Sequence, residues 1–484
     1  MYRTFLALTM MLCVDLPVQL AMGGITTIAL SGDPAPGTAS GVTFSEINSA
    51  KLNNAGRVVL SADLIGPGID STNDKGIWSD RSGSLELVVS KGTAAPGTSV
   101  DFSLFSVPYL SDTGKMTFSA QVSGPGVDFS NDDGIWTDAF GSLQLVARDR
   151  DPAPGTESGV LFEDSSGGLQ TTGEKTVFGA PLTDPLGNPS LDTGIWSNRS
   201  GSVELIALNG DPAPDTAAGI VFAVISQRTF INTTDQIAFI GRLAGPGVDD
   251  TNDHGIWSDR SGSMELIVRS GEPAPGTSVG VNFTQSFSPS SISGFNSLGQ
   301  LAFGGGLAGP GVGPTNDQGI WSEGSGVLQL VAREGDQAPG TSVDFRFDVA
   351  NFEAMLNALG HTMFHAALTG PGINDANDRG IWSDVSGSLE LIAREGEQAP
   401  GTAPGIVFGK GPPSINSSPF GVPFMNDKGQ IVVRSTLIGP GVDTNNDYGI
   451  WLYNDGQLEL IVRKGDSLEV SPGENKNNQC TVVI

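Results

Sequence analysis

Four stretches of the chain bring side-chain oxygens close enough together to hold a hard cation. They read Asp70-x-x-Asn73-Asp74-x-Gly76, Asp128-x-x-Asn131-Asp132-x-Gly134, Asp249-x-x-Asn252-Asp253-x-Gly255 and Asp443-x-x-Asn446-Asp447-x-Gly449. Carboxylate and amide oxygens at such spacing are what Ca²⁺ takes as ligands, so bound calcium is one expectation for these loops. The spacing is not that of an EF-hand, and no bidentate glutamate follows at a fixed distance. Asp and Asn also build turns by bonding their own backbone while a glycine takes positive φ. That structural reading is the stronger one. The copy around Ser190-Leu191-Asp192-Thr193 lacks most of the pattern, and another has Gly313 in place of the first Asp.

Little else in the chain is arranged for catalysis. Histidine is confined to His254, His361 and His365, and the last two share a stretch that predicts a strand, where i, i+4 residues stand far apart. No His-Glu-x-x-His pair, nucleophile elbow or phosphate-cradling loop occurs. Arg148, Arg269, Arg333, Arg394 and Arg463 recur at the ends of predicted strands with acids nearby, which suits the tying-down of connectors. Catalysis needs unlike groups that converge, and repeats supply like groups spread apart. No catalytic residue is therefore expected, although sites assembled from separate repeats escape motif searches.

The frame that positions these loops is written in the tryptophans. Gly-Ile-Trp occurs at Trp78, Trp136, Trp196, Trp257, Trp321, Trp382 and Trp451, and these are all seven tryptophans of the 484-residue chain. Such a period marks a stacked or circular array. Within the repeat from Gly219 to Pro275, Ile220–Phe222, Asn232–Phe239, Ile256–Ser258 and Met264–Val268 alternate as strands, and Arg269–Pro275 is a proline-rich connector. Four short strands and one long connector describe an antiparallel sheet that cannot cover its own faces, so neighbours must stack. The expected fold is all-β, a seven-bladed β-propeller of four-stranded blades, with each tryptophan filling the space between blades. Small residues at Gly179-Ala180, Gly304-Gly305-Gly306 and Ala366-Ala367 suit a crowded central axis. Ile25–Leu30 and the Ser31–Pro36 stretch copy a fourth strand and connector, which predicts an extra N-terminal strand pairing with the last blade.

Residues 1–24, with Arg3 and the apolar run from Phe5 to Val14, read as a signal peptide; residues 25–466 form the repeats and 467–484 a polar tail. Only Cys480 would follow such a cleavage, so stability must come from packing. No later segment approaches the length of a membrane-spanning helix. The net charge of -28 repels phosphate backbones, which makes nucleic acid an unsuitable partner.

The stretches Asn53-x-x-Gly56-x-x-x-Leu60, Asn296-x-x-Gly299-x-x-x-Phe303 and Asn357-x-x-Gly360-x-x-x-Phe364 resemble the Asn-x-x-Gly-x-x-x-Phe tandem-repeat proteins of bacteria, exported proteins of choice-of-anchor type. So do the connectors from Arg333 to Gly340 and from Arg394 to Gly401. The resemblance implies an exported or surface-associated repeat protein of unassigned activity. The stretch Thr72-x-Asp74-x-Gly76-Ile77-Trp78 also looks like the structural Asp-box hairpin of sialidase-type propellers, one residue short. Together these readings predict a secreted binding or structural module whose partner is an extracellular protein or glycan. The alternative is a propeller hydrolase or lyase acting on extracellular polysaccharide.

Overall fold

Short apolar runs, each closed by Gly, Asn or Pro, fold into strands and into nothing else: no described residue is helical. The computed structural model describes residues 27–165, 168–184, 189–284, 292–348, 354–410, 418–466, 468–471 and 474–476. The leader-like stretch 1–24 lies outside them. The chain is a seven-bladed β-propeller of four-stranded antiparallel blades.

The first blade shows the plan, with strands Thr43–Leu52, Val58–Ile65, Lys75–Ser79 and Glu86–Ser90 paired in chain order. In the fourth blade the strands are Val221–Ile231, Ile237–Ala244, His254–Ser258 and Glu265–Arg269. Its first strand runs far past the Ile220–Phe222 that the sequence marks out, because a bulge takes up polar residues such as Gln227 and Arg228 and pairing resumes at Thr229. In the second, fifth, sixth and seventh blades the first strand is split into two short pieces that both pair with the second strand. First strands of neighbouring blades approach one another, which places them at the axis and the fourth strands at the rim.

Each Gly-Ile-Trp lies on a third strand. The pairing of third and fourth strands slips between the Ile and the Trp in all seven blades, so one extra residue of the fourth strand is bulged out. The glycine has its own reason. A Cβ on Gly76 would lie 2.7 Å from the Trp78 ring, and one on Gly194 would lie 2.5 Å from that of Trp196, so the indole covers a backbone that must stay bare. All seven indoles are fully buried.

The core is a series of seams. Val59, Ile77 and Val89 of the first blade pack on Phe102, Phe118 and Trp136 of the second. The same exchange of branched aliphatics for aromatics recurs at the next five seams. Each aliphatic buried this way stabilises by about 1.5–3 kcal/mol over exposure, which a lone sheet of this size could not obtain. On the far side of the first blade, Trp78 and Phe44 pack with Ala29 and Ala35. Among the described residues that cluster contains no member of the seventh blade.

Two expectations need correction. The described part of the extra N-terminal strand, residues 27–30, forms no ladder. Leu30 instead donates its amide to Asp33 Oδ2 at 2.9 Å, and Ala29 packs on the first blade. The small residues at 179–180, 304–306 and 366–367 lie on second strands, away from the axis. Gly179 fits because a Cβ there would sit 2.4 Å from the backbone of Gln227 in the next blade. In the stretch after Asp466, a two-stranded hairpin pairs Leu468–Ser471 with Glu474–Lys476.

Candidate functional site

The strand order gives the propeller two unlike ends. The turns between first and second strands and the hairpins between third and fourth lie at one end. The loops between second and third strands, and the connectors between blades, lie at the other.

At the turn end the repeated polar residues hold the frame together. Asn232 Nδ2 donates to the carbonyl of Asn296 at 2.7 Å, Asn296 to that of Asn357 at 3.0 Å, and Asn357 to that of Asn426 at 3.1 Å. In the hairpins Arg81 reaches Asp138, Arg199 reaches Asp259 and Arg260 reaches Glu323, each one blade onward. The same acids cap the next second strand from the inside: Asp138 Oδ1 accepts the amide of Met116 at 2.6 Å. These ties join residues of different blades and were not foreseen from the sequence. Their signal was present as Arg-Ser-Gly-Ser at 81, 199 and 260, each with its acid one repeat onward.

At the connector end the candidate cation loops close on themselves. Asp70 Oδ1 accepts from Thr72 N at 2.8 Å and Thr72 Oγ1 at 2.6 Å, while Asn73 Oδ1 accepts from Asp70 N at 2.8 Å. Asp128 with Asn131 and Asp249 with Asn252 repeat this geometry. In the last copy Asp443 Oδ1 accepts from Asn445 N at 2.8 Å, and Asn446 Oδ1 from Asp443 N at 2.9 Å. The hydroxyl and amide donors hold Asp70, Asp128 and Asp249 below the usual carboxylate range. Where Gly313 stands for the first Asp, Asn316 still accepts the Gly313 amide at 2.7 Å, so the turn does not depend on the carboxylate.

In three of the loops the Asp before the last spacer residue goes elsewhere: Asp74 to Lys91 at 3.0 Å, Asp253 to Arg242 at 2.7 Å and Asp447 to Lys464 at 3.1 Å. Among the described residues no three His, Cys, Asp or Glu side chains gather closely enough to hold a metal ion, Asp132 included. The tryptophans spend their one polar atom on the connectors. Trp78 Nε1 donates to the carbonyl of Pro36 at 2.9 Å and Trp136 to that of Pro96 at 3.0 Å, and the other five do the same. Arg148, Arg269, Arg333, Arg394 and Arg463 donate from Nε to the carbonyls of Asn131, Asn252, Asn316, Asn377 and Asn446. They fasten the loop between second and third strands of their own blade more than the connector.

One position at this end differs from blade to blade. The residue after each fourth strand donates its amide to the residue before Gly-Ile-Trp, at 2.8 to 3.0 Å in all seven copies. Yet the side chains there are Lys91, Asp149, Asn209, Ser270, Glu334, Glu395 and Lys464. Lys91, Ser270, Glu334 and Lys464 bond within their own blade, whereas Asp149 and Asn209 reach the next one. Asp149 accepts from Ser165 N at 2.6 Å and Oγ at 2.8 Å, and Asn209 Oδ1 from Ile225 N at 2.9 Å. Burial pushes Asp149 up to about 7 despite the Ser165 bonds.

In the fourth blade the set is Arg242, Asp253, His254 and Ser270. Asp253, with its side chain buried, takes Arg242 Nε on one oxygen and His254 Nδ1 on the other, each at 2.7 Å. Burial opposes its charge, but those two bonds hold it below the usual range. With Nδ1 committed, the half-buried imidazole presents Nε2 outward. A groove of about 860 Å³ opens between the fourth and fifth blades at this end, lined in part by Asn252, Arg269, Ser270, Glu272, Asn282 and Thr284.

The chain belongs to a family of unknown function, DUF7453, whose model matches residues 19–173 and 52–482. No curated protein matches it. Among solved structures it is similar to the Pyrococcus horikoshii acylaminoacyl peptidase, with 11% identity and a TM-score of 0.39, over 87% of this chain and 52% of that one. The chain thus spans about half the length of that enzyme. It is also similar to the β-propeller domain of the Trilobed protease from Pyrococcus furiosus, described as having an open velcro topology, with 10% identity and a TM-score of 0.40 over 88% of this chain and 100% of that one. A Penicillium chrysogenum α-L-arabinanase complexed with arabinobiose matches with 9% identity and a TM-score of 0.28, over 74% of this chain and 96% of that one.

Proposed function

We propose that the protein is an exported binding module that meets its extracellular partner on the connector end of the propeller. One observation carries this reading. The repeated residues are spent on the frame, whereas the residue before each Gly-Ile-Trp is half-buried in all seven blades and differs between them: Lys75, Asp133, Thr193, His254, Gln318, Arg379 and Tyr448. A scaffold alone has no need for such variety, whereas a surface that recognises an irregular ligand does. The groove between the fourth and fifth blades, whose lining residues Ser270 and Asp250 meet His254 and Arg242, is the docking place. Exposed Asp70, Asp128, Asp249, Asp250 and Asp443 on the same end make that surface acidic, so it suits a neutral or cationic partner over a polyanion.

A hydrolase or lyase would draw unlike groups from several blades to one point. Arg242, Asp253 and His254 all come from one blade and are held by one another.

The test is surface binding of the full chain to a cationic, a neutral and an anionic polysaccharide and to basic and acidic peptides. Binding to a non-anionic probe, weakened at least about tenfold by Arg242→Ala or His254→Ala and unchanged by Leu298→Ala at the turn end, supports the reading. Turnover of any probe that a single substitution abolishes, or binding that only the turn-end change weakens, counts against it.

A further inference from the structure

The seam between the sixth and seventh blades contains an acid pair that the frame does not explain. Glu395 is the residue after the sixth blade's fourth strand, and its side chain is wholly out of solvent. Neither of its carboxylate oxygens meets a hydrogen-bond donor, and the same holds for Oδ1 of Asp378 beside it. Lys410, from the seventh blade, stands with Nζ 3.7 Å from Glu395 Oε2 and 3.7 Å from Asp378 Oδ1, too far for a good hydrogen bond. That ammonium donates instead to the carbonyl of Asp375 at 2.9 Å. Arg379 Nε lies 3.8 Å from Asp378 Oδ1 and is itself buried without a partner. Asp378 and Arg379 from the sixth blade and Lys410 from the seventh are thus the charged groups that face Glu395.

A buried carboxylate with no donor is costly, and two side by side repel as well. One proton removes both costs, because a protonated carboxyl becomes a donor to its neighbour. We propose that Glu395 and Asp378 hold one proton between them, and that losing it loosens the seam between the sixth and seventh blades. The proton passes to solvent and leaves two bare carboxylates opposite Lys410 and Arg379. Buried carboxylate oxygens that neither cation hydrogen-bonds then favour entry of water between the blades. The environment agrees: burial lifts Glu395 to about 7, the Asp378 carboxyl adds to the lift, and Lys410 and Arg379 oppose it. The inference does not depend on what the connector end binds.

Amide hydrogen exchange of the full chain at about pH 6 and about pH 8, corrected for intrinsic rates, tests this. The amides of Glu395, Gly409 and Thr436 report on this seam, and those of Ala95 and Phe102 report on the first seam as a reference. Protection at the reporters is expected to fall about tenfold or more relative to the reference as pH rises, within the roughly hundredfold that one proton permits over two pH units. Glu395→Gln supplies a permanent donor and should abolish the fall. Asp378→Asn should do the same if the first variant folds poorly. Lys410→Met leaves the proton more tightly held and should move the fall to higher pH. Reporter protection that tracks the reference in the native chain, or a fall that survives in both Glu395→Gln and Asp378→Asn, overturns the proposal.

Discussion

Arg260 donates from Nη1 to Oε2 of Glu323, crossing from the hairpin of one blade to the hairpin of the next. The same carboxylate accepts the amide of Leu301 at 3.0 Å, so one acid fixes both its own sheet and the sheet before it. Arg260→Ala should destabilise the chain by about 1–3 kcal/mol, the range for a partly exposed charged hydrogen bond. Urea unfolding of Arg260→Ala, Glu323→Gln and the double variant should give a coupling energy clearly above zero. A coupling near zero would mean that the tie is ornamental.

Trp321→Phe keeps an aromatic ring at the seam but removes the indole N–H that serves the carbonyl of Pro275 at 3.0 Å. It also opens space against Phe303, which stacks on the indole with ring centres 6.4 Å apart. The expected loss is about 2–4 kcal/mol, combining a cavity with an orphaned carbonyl. Thermal unfolding should show it. Trp321→Ala should cost more at the same position.

Gly179→Ala places a methyl group 2.4 Å from the backbone of Gln227. Backbone cannot swing aside as a side-chain tip does, so the third and fourth blades must part. A loss of about 1–3 kcal/mol or more is expected, whereas Gly313→Ala, in open space and without a positive φ, should cost much less. Equal effects at the two sites would contradict the close approach.

Asn73→Ala removes a side chain that closes the loop before the first Gly-Ile-Trp, accepting from Asp70 N at 2.8 Å and donating to the Gly68 carbonyl at 2.9 Å. It should cost about 0.5–2 kcal/mol. Because these oxygens already have donors, melting of the native chain should not shift on adding calcium or a chelator. A rise in melting temperature with calcium that Asp70→Ala abolishes would restore the cation reading.

Stability should also fall as pH rises through the window from about 4.5 to about 7. Burial raises Glu395 from 4.5 to about 7, so in this window the folded chain holds a proton that the unfolded chain has released. Below the window both states are protonated and nothing is lost. Above it the full difference applies, on the order of 3 kcal/mol for this one group. Calorimetry across the range should show the decline, and Glu395→Gln should flatten part of it.

The blades were legible because their signals are local: Gly-Ile-Trp, the alternating fourth strand and the Asn-x-x-Gly turn each lie within a few residues. The first strands were not. Val221–Ile231 is held by its partner strand through bulges, and its polar residues carry no alternation to read. The described residues 27–30 failed for the converse reason: they continue the pattern of a fourth strand, but a pattern does not supply a neighbour to pair with. At the connector end, Asp70 and Asn73 advertised oxygens without revealing that their own loop would use them. Glu395 and Lys410 meet across a seam, and nothing in the spacing of either residue announces the other.

Each of the six seams between consecutive blades joins two unlike surfaces, branched aliphatics on the leading blade and an indole with its phenylalanine on the following one. Any blade therefore offers any other the half that it lacks. Gain or loss of a whole repeat would leave each newly adjoining pair complementary, while a fraction of a repeat would strand an indole without its socket. The array is in this sense modular by construction, and the number of its units is set by how the circle fits together, not by any one contact within it.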